Sequence, residues 1–160
     1  MITAERLRQR LYYDPETGYF TYLVSKSGNV KVGDRAGCPD KDGYINICLE
    51  GKLHKAHRLA WLWMKGEWPE NQIDHRDGQT GNNRWLNLRQ ATQSINSQNL
   101  HSAKKNSQTG FLGVFRWGNS YIARIRVNGK SLKLGVSSDP RVCAELYIAA
   151  KRQYHEGCTI

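Results

Sequence analysis

The chain has 160 residues, of which 39% are apolar and 24% charged, room for one ordinary domain or two small ones. It carries 24 Lys plus Arg against 14 Asp plus Glu, a net charge of +10 and a pI near 9.6. No run approaches the ~18 apolar residues of a membrane span, the first residues lack the apolar core of a secretory signal, and Cys38, Cys48, Cys143 and Cys158 form no C-x₂-C pair, which argues against structural zinc or a disulfide framework.

The charge is uneven: net 0 over residues 1–50, +3 over 51–100 and +7 over 101–160. No Asp or Glu occurs between Asp77 and Asp139, a stretch of 61 residues with nine basic side chains. Solvated surfaces normally mix signs, so a carboxylate-free stretch points to a polyanionic partner, nucleic acid first. A basic protein without a specific partner is the plain alternative.

In chain order, Leu7, Leu11 and Tyr12 suit a short helix, and Asp14-Pro15-Glu16-Thr17-Gly18 a turn. Residues 19–22 read as a strand, 25–43 as loops or a hairpin tip, and 44–49 as a second strand before the turn at 50–52. Residues 56–65 predict a helix with Leu59, Leu62 and Trp63 on one face, stopped by Gly66 and Pro69. A short strand enters a polar loop over 71–78. Residues 85–89 are a short apolar segment, and Thr92 is placed to cap a helix to about Leu100. Residues 101–110 read as a polar, basic linker. Beyond it, 113–117, 121–127 and 131–136 predict three strands, with a hairpin turn at Asn128-Gly129. Asp139-Pro140 opens a last helix with Val142, Leu146, Ala149 and Ala150 on one face, closed by Gly157. The expected fold class is α+β: small antiparallel sheets with helices over 1–100, the linker 101–110, and a three-stranded sheet packed on one helix over 111–160.

Residues 73–99 gather the groups that phosphodiester hydrolysis needs: a base for water, a cation for the phosphate, and help for the leaving oxygen. Asp74 and His75 are adjacent, so an extended segment points them to opposite sides, one toward a metal and one toward the phosphate. A strand–loop–strand–helix path would return Asn96 toward Asp74. A carboxylate and an amide oxygen suit Mg²⁺. Neutral His75 is the candidate general base, and Asn87 is placed to hold the backbone or the His tautomer. Singly, each has an ordinary use in a turn, at the surface or at a helix start.

The segment AHRLAWLWMKGEWPENQIDHRDGQTGNNRWLNLRQATQSINSQN (56–99) resembles the HNH endonucleases of phages and mobile introns, which have a ββα-metal site. TGFLGVFRWGNSYIARIRVNGKSLKLGVSSDPRVCAELYIAAKRQYHEG (109–157) resembles the APETALA2-type DNA-binding domain often fused to them, and 10–52 resemble the sheet-rich N-terminal segment of such homing-type phage proteins. The resemblance implies Asp74 and Asn96 as metal ligands, His75 as general base and Asn87 as the residue supporting it. The third signature position is Asn96, not His, which implies an oxygen-rich site for one Mg²⁺ or Mn²⁺. Asn99 is an alternative ligand. His57, in the AHRLAW signature, is read as structural, and His54, His101 and His155 have no evident partners in the sequence.

The resemblance also implies a three-stranded sheet laid in the DNA major groove. Alternation places Arg124 and Arg126 on one face with Ile122, joined by Arg116, Trp117, Lys130 and Lys133. Lys104 and Lys105 would track the backbone across the linker, Arg84 and Arg89 would clamp phosphates near the cut, and Lys26, Lys31, Arg35 and Lys41 would add contacts. The implied protein is a cytoplasmic, phage- or intron-encoded nuclease of double-stranded DNA that nicks as a monomer and needs a dimer or two events to cut both strands. A DNA-binding regulator with an inactive nuclease site is the alternative. An RNA-directed protein is a weaker rival, since no RNA-type stacking motif is evident.

Overall fold

A computed structural model describes residues 2–25 and 30–160; Lys26 lies outside them. It is a mixed α+β chain of small antiparallel sheets that divides into two compact units, residues 1–92 and 93–160. Among the described residues no helix is long and apolar enough to cross a membrane.

The first unit opens with α1 (Ala4–Arg10), capped by the Thr3 hydroxyl, which accepts from the Arg6 N–H. The expected helix through Leu11 and Tyr12 stops at Arg10. Leu11–Asp14 is instead strand β1, with Leu11 and Tyr13 buried and Tyr12 turned out. This period-2 burial is what pairing with β2 (Tyr19–Tyr22) requires. In the turn between them the Asp14 carboxylate accepts from the Glu16 N–H and the Thr17 hydroxyl. Residues read as loop include the two-residue strand β3 (Cys38–Pro39), which edges β4 (Ile45–Leu49) and β5 (Lys52–Lys55). Helix α2 (Ala56–Lys65) buries Leu59, Ala60 and Leu62 and ends at Gly66, whose φ of 83° no β-carbon favours. One core joins these pieces: Leu7, Leu11, Tyr13, Phe20, Ile47, Leu59, Leu62, Ile73 and Leu88. The last two come from a separate ribbon, β6 (Gln72–His75) against β7 (Leu88–Ala91).

The second unit begins with α3 (Gln93–Gln98) and carries the sheet β8 (Val114–Trp117), β9 (Ser120–Val127) and β10 (Lys130–Ser137), with β9 in the middle, and helix α4 (Pro140–Tyr154). Asn128 and Gly129 both take positive φ (49° and 79°) in the β9–β10 turn, as expected of Asn-Gly. The Asp139 side chain accepts from the Arg141 N–H at the start of α4.

Three features differ from the sequence reading. The unit boundary falls after Thr92, not in 101–110, because the segment after it is tied to the end of the chain: the Lys151 ammonium donates to the Leu100 carbonyl, the Gly157 N–H to the Gln98 side chain, and the Thr159 hydroxyl to Asn99. The buried face of α4 is Cys143, Ala150 and Lys151, while Val142 and Leu146 are 45% and 39% exposed. The helix follows the narrow sheet it covers, so its buried stripe is offset from the apolar one. Gly157 does not close α4, which ends on His155 at an ordinary φ of −103°. The glycine is needed for close approach, since a β-carbon there would sit 2.3 Å from the Ile95 carbonyl oxygen. Gly157→Ala should therefore destabilise the second unit by about 1–3 kcal/mol through overpacking, measured as a shift in its urea midpoint.

Candidate active site

Asp74 and His75 end β6, and neighbouring residues on a strand face opposite sides. Both are buried, at 5% and 4% exposure. Among the described residues Asp74 is the only buried carboxylate. Register sets its partner: Asp74 stands opposite Arg89, so their side chains share a face. The Arg89 guanidinium donates to Asp74 Oδ2 through Nε at 2.9 Å and Nη2 at 2.8 Å. Arg89, expected to clamp phosphate, is thus committed to Asp74 in this structure, because a carboxylate withdrawn from water needs a counter-charge.

His75 faces a cluster of rings. Its ring centroid lies 5.1 Å from that of His57, edge to face, and 6.0 Å from Tyr44, which in turn lies 5.4 Å from His57. Burial pushes the His75 imidazole below its ordinary pKa, against the opposing pull of Asn83, Asp77 and Asp74. Burial pushes His57 down to about 3, helped by His75, Arg58 and Lys55. Among the described residues, the buried His57 Nδ1 meets no hydrogen-bond partner. His57 is thus a neutral wall of the site, and its place in the fold is that of a packed ring.

The loop between β6 and β7 is stitched by amides. The Asn87 side chain accepts from the Asp77 N–H at 3.0 Å and donates to Asp77 Oδ1 at 2.9 Å and to the Asn82 carbonyl at 2.8 Å. The Asn87 carbonyl accepts from the Arg76 N–H. Burial raises the Asp77 carboxyl, but hydrogen bonds from the Gln79 N–H, Asn82 and Asn87 outweigh it and hold it below the usual range. Asn87 therefore braces the loop. The residue against the His75 ring is Asn83, whose Oδ1 lies 3.2 Å from Nε2. Sequence reasoning missed Asn83. Its only signal is a run of polar residues (Asn82, Asn83) in a loop, which composition alone cannot separate from solvent-exposed turn residues.

Arg84 is exposed beside this loop. Asn96 sits on α3 in the second unit, and Asn99, also there, is buried and accepts from the Thr159 hydroxyl. The histidines without evident partners have them: His54 stacks on Trp68, His101 meets Thr159, and His155 Nε2 lies 2.9 Å from the Arg126 carbonyl.

In the second unit, register sorts the basic residues by face. Arg124 opposes Lys133, Arg126 opposes Ser131, and Trp117 opposes Ser120, all on the Ile122 face. The Arg124 guanidinium lies over the Trp117 ring at 5.4 Å. Arg116 opposes Tyr121 and Lys130 opposes Val127, which puts both on the other face, against the expectation that they join Arg124 and Arg126. Adjacent strand residues cannot share a face, so Arg116 and Trp117 separate. Segment 103–113 and strands β8 and β9 border an open groove of about 970 Å³ whose lining includes Lys104, Arg116, Arg124 and Arg126. Lys105 is exposed in the same segment.

A hard divalent cation suits the carboxylate of Asp74 and the amide oxygen of Asn96 as donor types. Among the described residues no three His, Cys, Asp or Glu side chains cluster to hold a metal.

Two outcomes follow. Arg89→Met should cost about 3–5 kcal/mol of unfolding free energy by leaving the Asp74 carboxylate buried beside an apolar chain, read by denaturant titration at neutral pH. His57 binds its proton more weakly folded than unfolded, so its contribution is complete above pH 6.5 and is lost as pH falls from 6.5 toward 3. Stability should fall over that window by up to about 1.4 kcal/mol per pH unit for this residue, and His57→Phe should flatten the fall.

Residues 54–98 match the family model described as HNH endonuclease, a span holding Asp74, His75, Asn83, Asn87 and Asn96. The chain is 41% identical over 67 residues to DNA endonuclease I-HmuI of Bacillus phage SP01, covering 39% of this chain and 38% of that protein. It therefore spans less than two-fifths of the length of that curated relative. Among solved structures it is similar to the HNH homing endonuclease I-HmuI studied for DNA binding and cleavage, at 24% identity and a TM-score of 0.43 over 92% of this chain and 88% of the other. The segment that builds the Asp74–His75 site is thus the segment that carries the HNH endonuclease signature.

Proposed function

We propose that the chain is a metal-dependent endonuclease of double-stranded DNA that hydrolyses phosphodiester bonds and nicks one strand per active site. The observation that carries this reading is the pair Asp74 and His75, buried side by side at the end of β6 inside the span that matches the HNH endonuclease model.

His75 is the general base. Its depressed pKa keeps the imidazole neutral near pH 7, so it can take a proton from the attacking water. Asn87 keeps the β6–β7 loop in shape around it. Asp74 and Asn96 are the oxygen donors for Mg²⁺ or Mn²⁺, which when bound would offset charge on the phosphate and on the leaving oxygen. Arg89 holds the Asp74 carboxylate in place, and exposed Arg84 is available to a phosphate near the cut.

The APETALA2-like resemblance of 109–157 supports a DNA-reading role for the sheet. Arg124, Arg126, Lys133 and Trp117 share one face for bases or phosphates. Lys104, Lys105 and Arg116 border the groove or its segment, and Lys130 sits at the hairpin tip, where they would meet backbone phosphates. Exposed basic residues without intervening carboxylates are what counterion release requires.

Two measurements test the reading. Supercoiled plasmid with Mg²⁺ should relax to the nicked form with the wild-type chain and stay intact with His75→Ala; a plasmid left equally intact by both would remove the enzyme reading in favour of a binding protein. Log affinity for duplex DNA should fall against log salt with a slope of roughly −5 for six phosphate contacts. A nearly flat dependence would sink the proposed interface.

A further inference from the structure

The hydrogen-bond pattern around His75 defines which of its two nitrogens faces the reaction. Asn83 is 3% exposed. Its Nδ2 donates to the Gly81 carbonyl at 3.3 Å. A carbonyl only accepts, so this bond fixes the direction of the amide and turns Oδ1 toward His75. An amide oxygen also only accepts. The 3.2 Å contact from Oδ1 to Nε2 therefore requires the proton on Nε2. In the neutral ring Nδ1 is then the nitrogen that carries the lone pair.

Residues 83–85 are held in turn by the N-terminal hairpin, at three points. The Tyr13 hydroxyl donates to the Asn83 carbonyl at 2.6 Å. Tyr13 is fully buried, its ring 4.8 Å from Phe20 and 5.9 Å from Trp63, so the hydroxyl has a fixed position. The Trp85 N–H donates to the Pro15 carbonyl at 3.0 Å. Gly18, at a φ of 75°, lies so close that a β-carbon would come within 2.4 Å of the Asn83 carbonyl carbon and the Arg84 nitrogen. Residues 83–85 are thus seated on β1, β2 and their turn. The hairpin lies outside the span that matches the HNH endonuclease model.

We propose that Asn83, seated on the N-terminal hairpin through Tyr13, is a positioning residue that holds His75 as the Nε2–H tautomer and so presents Nδ1 as the base. Its catalytic meaning rests on the endonuclease reading; the tautomer itself does not. The hairpin is then part of the machinery that aims the base as well as part of the core.

The test is ¹⁵N NMR of the full chain labelled at histidine, without metal or DNA, with the His75 signals assigned by loss in His75→Gln. Wild type should show a protonated Nε2 and an unprotonated Nδ1. Asn83→Ala should give a mixture of both tautomers, and Tyr13→Phe, which keeps the ring, should shift His75 in the same direction by less. Plasmid nicking by Asn83→Ala should slow by about 10–100-fold with DNA affinity unchanged. A wild-type His75 protonated on Nδ1 would overturn the proposal, as would an Asn83→Ala spectrum identical to wild type. If Asn83→Ala loses its native amide spectrum, Tyr13→Phe decides alone: a changed tautomer ratio supports the proposal and an unchanged one overturns it. Absence of nicking by the wild-type chain would defeat the endonuclease reading and leave the tautomer result to stand on the spectrum.

Discussion

Everything at the site depends on taking one carboxylate out of water. Asp74 is the third residue of a four-residue strand in a protein of net charge +10, and the Arg89 guanidinium opposite it offsets the desolvation that burial imposes. The pair exists because of register: a two-stranded ribbon places residue 74 across from 89 and residue 75 across from 88. A slip of one residue would turn every side chain over and bury the wrong set. The ribbon is anchored against this by Ile73 and Leu88, which belong to the core of the first unit.

The neighbouring histidine meets a different environment. On the other side of the ribbon, the His75 ring meets the rings of His57 and Tyr44 and the Asn83 amide. Desolvation there favours the neutral imidazole. One short strand thus places a buried carboxylate and a neutral imidazole back to back. The loop that follows is cross-linked by its own side chains. Asp77, Asn82 and Asn87 satisfy each other and the local backbone, so a loop of polar residues keeps a single shape without an apolar core of its own.

The second unit separates its functions by face. Ala123 and Cys143 pack between sheet and helix, while Arg124, Arg126 and Trp117 remain outside. The carboxylate-free stretch runs from the β6–β7 loop through this sheet, and its end, Asp139, caps the helix on the sheet's covered side. The proposed DNA-facing residues and the acid-poor sequence therefore coincide. Arg116 and Lys130 show the limit of that argument, since being basic and nearby did not put them on the Arg124 face.

The sequence by itself determined the local rules. The Asp14 turn, the α2 helix, the Asn128–Gly129 hairpin and the Asp139 cap follow from the chemistry of a few adjacent residues, and all stand in the structure where the sequence placed them. The adjacency of Asp74 and His75 was legible for the same reason. Tertiary structure alone decided what each side chain meets. Leu11 and Tyr12 became strand because β2 was there to pair with, and the buried stripe of α4 followed the sheet instead of its own apolar pattern. The unit boundary moved to Thr92 because contacts with residues 151–159 claim α3 and the segment after it. Arg89 found Asp74 through strand pairing, and Asn83 found His75 through a loop seated on a hairpin some seventy residues earlier in the chain. Hydrogen bonds and ion pairs between distant residues depend on register and packing, which no local pattern encodes, and in this protein they decide how His75 and Asp74 are held.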